Sequence, residues 1–242
     1  MTINYLASMR KYKRDALLKR VYHDILIPSF RTDELDSFEE TSSAFAKLPR
    51  TKDIWVALNE RDPVGVVIGD WYAESEVYLL SYLAVHQEFR SQHVGGELMK
   101  KIRESWTARG AQLVLAEVDD PRHYNTADPG TGDPERRLVF YGREGGRVLD
   151  LAYFQPRLST GGDRVRGMFL IALHVDPDKE TSGKDRTLWL QRGALSSFLQ
   201  EYFNDAEGAD GDDVERADLF ARAAAGVGIR LLPVERYTEA GL

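Results

Sequence analysis

LAVHQEFRSQHVGGELMKK, Leu83 to Lys101, opens as an apolar strand and closes as an amphipathic helix. Between the two lie Arg90, a polar turn and the pair Gly95 and Gly96. A strand that feeds such a turn into a helix leaves several backbone N–H groups without a carbonyl to bond, backed by the positive end of the helix dipole. That combination suits a phosphate. Turns of this kind also serve packing alone, so the stretch by itself leaves both readings open.

The flanking segments give the stretch its setting. Upstream, IWVAL from Ile54, a turn around Glu60 to Pro63, and VGVVIGDWY predict a hairpin, and EVYLLSYLAV predicts a third, long strand. Downstream, Val94, Leu98, Ile102 and Trp106 recur every four residues and predict a helix that Gly110 ends. AQLVLAEV then reads as a buried strand, and Asp133 before Pro134 reads as the N-cap and first position of a helix that stops at Gly145 and Gly146. VLDLAYF and MFLIALHV predict two further strands. Ahead of all this, Leu17, Leu18, Val21, Tyr22, Ile25 and Leu26 predict a helix up to Pro28, and LDSFEETSSAFAKL a second one. Beyond Val175 a polar linker leads into LWLQRGALSSFLQEYF and VERADLFARAAA, which read as two helices.

Composition narrows the chemistry. The 242 residues include no cysteine, which excludes disulfides, thiolate metal sites and a cysteine nucleophile. The formal net charge of -7 argues against broad binding to nucleic acid, and the basic run MRKYKRDALLKR reads as a solvated helix face. No apolar run is long enough to span a bilayer and the first twenty residues lack the pattern of a secretory signal, so a cytoplasmic protein without membrane partners is expected. Asp119, Asp120 and His123 lack the spacing of a metal motif, as does DGDD from Asp210; no metal is expected, and the first group reads as a solvated loop.

Two phosphate loops can be set aside. The only Gly-Lys pair, Gly183 and Lys184, precedes Asp185 and lacks the earlier glycine of a Walker loop, and no G-x-G-x-x-G opens a parallel βαβ unit. LAVHQEFRSQHVGGELM instead resembles the acyl-CoA-binding motif of the GNAT superfamily of N-acyltransferases, in which a strand ending in L-x-V leads into [RQ]-x-x-G-x-[GA] and a helix. Arg90 and Gly95 occupy the outer motif positions, and His93 stands where the motif has its first glycine. RRLVFYGREGGRVL is similar to a later F-Y-x-x-x-G segment of the family, with Phe140, Tyr141 and Gly145 at the matching places. Pro134 and Arg137 stand where many relatives carry Asn and Ala. The resemblance covers roughly Ile54 to Tyr153.

The resemblance implies an α/β (α+β) fold, a GNAT-like mixed central sheet, splayed in the middle and flanked by helices. On that basis residues 1–175 form the acyl-CoA-binding domain and residues 176–242 a C-terminal helical extension that packs on it or on a partner subunit, as in a homodimer. It implies acetyl-CoA, or another acyl-CoA, as cosubstrate. The pantetheine arm would bond to main-chain groups near Leu83, Ala84 and Val85, and the pyrophosphate would sit on the turn formed by Arg90, Ser91, Gln92, His93, Val94, Gly95 and Gly96. An amine of a small molecule or peptide would attack the thioester directly, and Tyr141 matches the tyrosine that protonates the departing thiolate.

An alkylamine with a pKa of about 10.4 is neutral in only about one part in a thousand at pH 7, so a group must take its proton. The inward positions of the third strand, Leu79 and Ser81, offer no strong base. Glu117 is the carboxylate chosen, acting through water; a strand-end residue bonded to its neighbours is the competing reading, and Tyr78 and His86 are weaker candidates. The resemblance, in which the acceptor lies over the loop PSFRTDEL between the first two helices, implies that Phe30, Asp33 and Glu34 form one wall of the amine site. A noncatalytic acyl-CoA-binding module on the same fold is the alternative function.

Overall fold

The computed structural model of the chain describes residues 1–31, 34–49, 51–124, 132–158, 162–208 and 213–241. The chain divides into two compact units. One is built from Met1–Trp71 and Leu79–Arg109, the other from Tyr72–Tyr78, the stretch that begins at Gly110, and the chain from Asp133 onward.

The first unit starts with a strand, β1 (Thr2–Tyr5), antiparallel to β2 (Lys52–Asn59), with Thr2 opposite Leu58 and Tyr5 opposite Trp55. β2 pairs with β3 (Asp62–Tyr72) across the expected hairpin, and β4 (Val77–Val85) lies next to β3. Four residues carry too little period to announce a strand, and β1 exists because β2 offers it a partner.

Helices α1 (Lys11–Val21) and α2 (Phe38–Ala46) cover one face of this sheet. Leu17, Leu18 and Val21, with Ile25 and Leu26 from the π-turn that extends α1, are buried with Ile54, Val56, Val66 and Ile68. A capping box starts α2: the Ser37 hydroxyl accepts from the Glu40 amide and the Glu40 carboxylate accepts from the Ser37 amide. Helix α3 (Val94–Ala108) buries the predicted stripe Val94, Leu98, Ile102 and Trp106. At Gly69 of β3 a Cβ would lie 2.4 Å from the Trp106 ring, so the missing side chain is what lets the indole reach the strand. Because Gly69 alternates with Ile68, α3 covers the face opposite α1 and α2. Gly110, at φ +96°, turns the chain at the end of this helix as expected.

The second unit contains β5 (Leu113–Asp119), α4 (Pro134–Arg143), β6 (Arg147–Leu149), β7 (Tyr153–Gln155) and β8 (Val165–Val175). β8 pairs antiparallel with β5, β6 and β7. The stretch after Val175 holds the two expected helices, α5 (Arg192–Glu207) and α6 (Val214–Ala224), together with three strands that the sequence did not announce. These are β9 (Glu180–Ser182), β10 (Leu188–Leu190) and β11 (Ile229–Pro233). The supposed polar linker is a hairpin, β9 to β10, and β11 joins β10 to β6, so the order in this unit runs β5-β8-β6-β11-β10-β9. The apolar stripe of α5 is covered within the unit: Phe203 meets Phe154 and Phe220 edge-on at 5.5 Å, and Leu195, Phe198 and Leu199 are fully buried. No helix among the described residues is long and apolar enough to cross a membrane.

Candidate functional site

The turn after β4 is shaped by backbone rather than by side chains. After β4 a short 3-10 turn (Gln87–Phe89) leads into Ser91 and His93, both left-handed at φ +64° and +63°. That conformation explains why the related motif places glycine at the position of His93: a Cβ in the left-handed region costs about 1–2 kcal/mol. His93 is the N-cap of α3, yet no side chain caps the helix, and the first backbone bond runs from the Glu97 amide to the His93 carbonyl at 3.0 Å. The amides of Val94, Gly95 and Gly96 therefore have no partner within the helix. The Arg90 Nε donates to the Val85 carbonyl at 3.2 Å, and the Gln92 amide nitrogen donates to the Glu88 carbonyl at 2.9 Å. These two bonds tie the turn to the end of β4 while Arg90, Ser91, Gln92 and His93 stay exposed. Leu83 and Val85 are half-buried and Ala84 is buried on the face covered by α1 and α2.

In the second unit, α4 carries Tyr141. Asp133 caps the helix by accepting from the Glu135 amide at 2.9 Å, with Pro134 at its start. Leu138 and Tyr141 form the buried side of α4. Burial pushes the Tyr141 phenol up to about 12, against a smaller opposite pull from Arg137 one helical turn away. Arg137 itself pairs with Asp119 at the end of β5.

Glu117 sits two residues earlier on β5, enclosed by three donors. The Tyr153 hydroxyl donates at 2.5 Å, the Gln155 amide nitrogen at 2.6 Å, and the Tyr202 hydroxyl at 3.2 Å. Burial raises its pKa above the usual carboxylate range, and the three hydrogen bonds oppose that rise without cancelling it. Both tyrosines are in turn held well above their ordinary pKa, by burial first and by the Glu117 charge second. Tyr153 and Gln155 lie on β7 and Tyr202 on α5, and the sequence marks none of the three as a site residue, Tyr202 reading as part of the apolar helix face. A tyrosine on a helix face reads as packing until the fold sets it beside a carboxylate.

The remaining candidates sort as follows. His86 accepts from the Glu88 amide at 3.4 Å, as a loop histidine would. Tyr78 is fully buried. Phe30 packs edge-on against Tyr82 at 5.1 Å and Glu34 pairs with Arg31, while Asp33 lies outside the described residues. Asp120 corrects the expectation of a solvated loop: it is 2% exposed and holds Arg122, which also bonds the carbonyls of Thr238 and Ala240. Among the described residues no group of three or more His, Asp or Glu side chains is placed to hold a metal ion.

Residues 50–145 match the family model of the acetyltransferase (GNAT) domain. No curated protein matches the sequence. Among solved structures, a GNAT-family protein from Bacteroides thetaiotaomicron superposes with a TM-score of 0.62 at 16% identity, over 87% of this chain and 100% of that one. The ribosomal-protein-S18-alanine N-acetyltransferase of Escherichia coli gives 0.50 at 14% identity, over 76% and 97% of the two chains. A GNAT-family protein from Desulfovibrio desulfuricans gives 0.50 at 19% identity, over 72% and 99%. At these identities the likeness establishes the fold.

Proposed function

Residues 50–145 of this chain are a GNAT acetyltransferase domain, and from that premise we propose that the protein is an acyl-CoA-dependent N-acyltransferase acting on a primary amine of a small molecule or peptide. One observation supports this above the others: inside the matched segment, α3 begins with no side-chain cap and with first-turn amides that have no helical partner. The diphosphate of the coenzyme supplies the missing acceptors, and Arg90 adds charge at the rim.

With acyl-CoA bound, the amine nitrogen attacks the thioester carbon. The C–N bond forms, the C–S bond breaks, and sulfur leaves as a thiol. Tyr141 gives the sulfur its proton. A phenol raised to about 12 is fully protonated at neutral pH and has no competing carboxylate to donate to among the described residues. Glu117 takes a proton from the nitrogen through a water, and the upward shift of its pKa makes it a stronger base than a solvated glutamate. The reading needs no metal and no second copy of the chain.

The test is thiol release from acetyl-CoA with a panel of primary amines, for the wild type and Tyr141→Phe. Release that requires the amine and falls in the variant supports the reading. Saturable coenzyme binding without turnover across the panel favours the noncatalytic module instead, a reading that draws on the three donors already engaged by Glu117.

A further inference from the structure

The third strand offered no base in the sequence, yet the first unit brings one to it from the neighbouring strand. Asp70 near the end of β3 follows Val66 and Ile68 at two-residue spacing, and Lys52 at the start of β2 precedes Ile54 and Val56 in the same way, so both face α1 and α2. Lys52 is 6% exposed and is held between Asp70, at 2.9 Å, and Asp36, at 3.6 Å. Burial pulls its ammonium down, but the two carboxylates outweigh that pull and the net shift is upward, so it stays charged.

The Ser81 hydroxyl on β4 donates to Asp70. Tyr82, the next residue, belongs to the core on this same face; its hydroxyl donates to the Glu34 carbonyl at 3.0 Å and accepts from the Asp36 amide at 3.1 Å. Regular alternation would send Ser81 and Tyr82 to opposite faces, so β4 is irregular at this point. The consequence is chemical. With its only proton committed to Asp70, the Ser81 oxygen presents lone pairs, and what it can receive is an N–H. Asp70 and Asp36 keep 26% and 43% of their side chains exposed, so the group is open to an incoming amine.

We propose that Ser81 and Asp70 form the relay that removes the first proton of the acceptor ammonium. The N–H proton passes to the Ser81 oxygen as the Ser81 proton passes to the Asp70 carboxylate, leaving a neutral amine; Asp70 then returns its proton to water. Lys52 lies beside Asp70 as its ion-pair partner, and Asp36, Tyr82 and Tyr22, whose hydroxyl bonds the Asp36 carbonyl at 2.9 Å, are the other titratable groups around it. The inference rests on the acyltransferase reading and is separate from Glu117, which acts after attack.

The experiment is the pH profile of amine-dependent thiol release for the wild type, Ser81→Ala and Asp70→Asn, from about pH 6 to about pH 10 at saturating acetyl-CoA. In both variants kcat/KM for the amine is expected to fall by about 100-fold at pH 7. The deficit narrows toward pH 10, where about a third of the amine arrives already neutral, and coenzyme affinity is unchanged. Ser81→Ala leaves the Lys52 to Asp70 ion pair intact, and thermal unfolding reports whether Asp70→Asn is folded. Wild-type pH profiles in both variants, or a deficit in Ser81→Ala that persists undiminished at pH 10, would overturn the relay alone. A wild type that releases no thiol with any amine removes the acyltransferase reading, and the relay with it.

Discussion

The turn from Arg90 to Gly96 and the enclosure around Glu117 are built on opposite principles. The turn spans seven consecutive residues and works through main-chain amides that local conformation alone exposes. The enclosure draws on β5, β7 and α5, with residues up to 85 positions apart in sequence, and works through side chains. A site made by backbone tolerates substitution, as His93 in place of glycine illustrates. A site made by side chains fails with the loss of a single atom. If binding belongs to the first and chemistry to the second, changes in the two regions separate rate from affinity.

The largest effect is expected on the chemical side. Tyr141→Phe removes one oxygen and should lower kcat by about 100-fold to 10,000-fold, with calorimetric titration of coenzyme A unchanged. Equal losses of rate and affinity would break the division of labour.

Next in size is the enclosure itself. Glu117→Ala leaves the hydroxyls of Tyr153 and Tyr202 and the Gln155 amide without their acceptor, at a cost of about 2–4 kcal/mol in unfolding free energy, read from denaturant curves. The pH dependence gives a finer reading. Because burial raises the folded-state pKa of Glu117, its favourable contribution is full below the ordinary carboxylate range. That contribution is lost as pH rises from there through the raised value. Denaturant curves of Glu117→Gln should therefore gain on the wild type as pH rises across that interval; a difference that stays flat with pH would mean the carboxylate is not held in the way its surroundings imply.

The opposite slope is expected across the Arg164 network. Arg164 pairs with Glu207, Asp213 and Glu215; its hydrogen bonds hold Glu207 and Asp213 below their ordinary pKa, and Glu215 is held down first by Arg166 and then by Arg164. Their contribution is present above about pH 4.3 and is lost as pH falls through the depressed values. Acid unfolding of Arg164→Met should therefore lack part of the wild-type slope.

The smallest effect is on the backbone side. His93→Gly removes the left-handed strain but adds chain entropy to the unfolded state, for a net gain of at most about 1 kcal/mol in thermal unfolding. A loss of stability there would mean that the histidine side chain has a partner worth more than the strain.

The same contrast explains what could be read from the sequence. The hairpin of β2 and β3, the α3 stripe from Val94 to Trp106 and the Asp133-Pro134 helix start are local patterns, and each stands where the sequence sets it. β1, β9 and β10, of three or four residues, are too short for periodicity and are defined only by the strands they pair with. LWL merged with the helix behind it because apolar residues at a helix start fit either period. Asp70 went unread for the reason that Tyr202 did: only tertiary contact makes either part of a site.

The most direct test of the central claim is calorimetric titration of coenzyme A into the wild type and Gly95→Pro, since proline in the first turn removes one outward amide without breaking a helical bond. The account predicts saturable binding in the wild type and a loss of at least about tenfold in the variant, with thermal unfolding little changed. No binding to the wild type, or equal binding to both proteins, would contradict it.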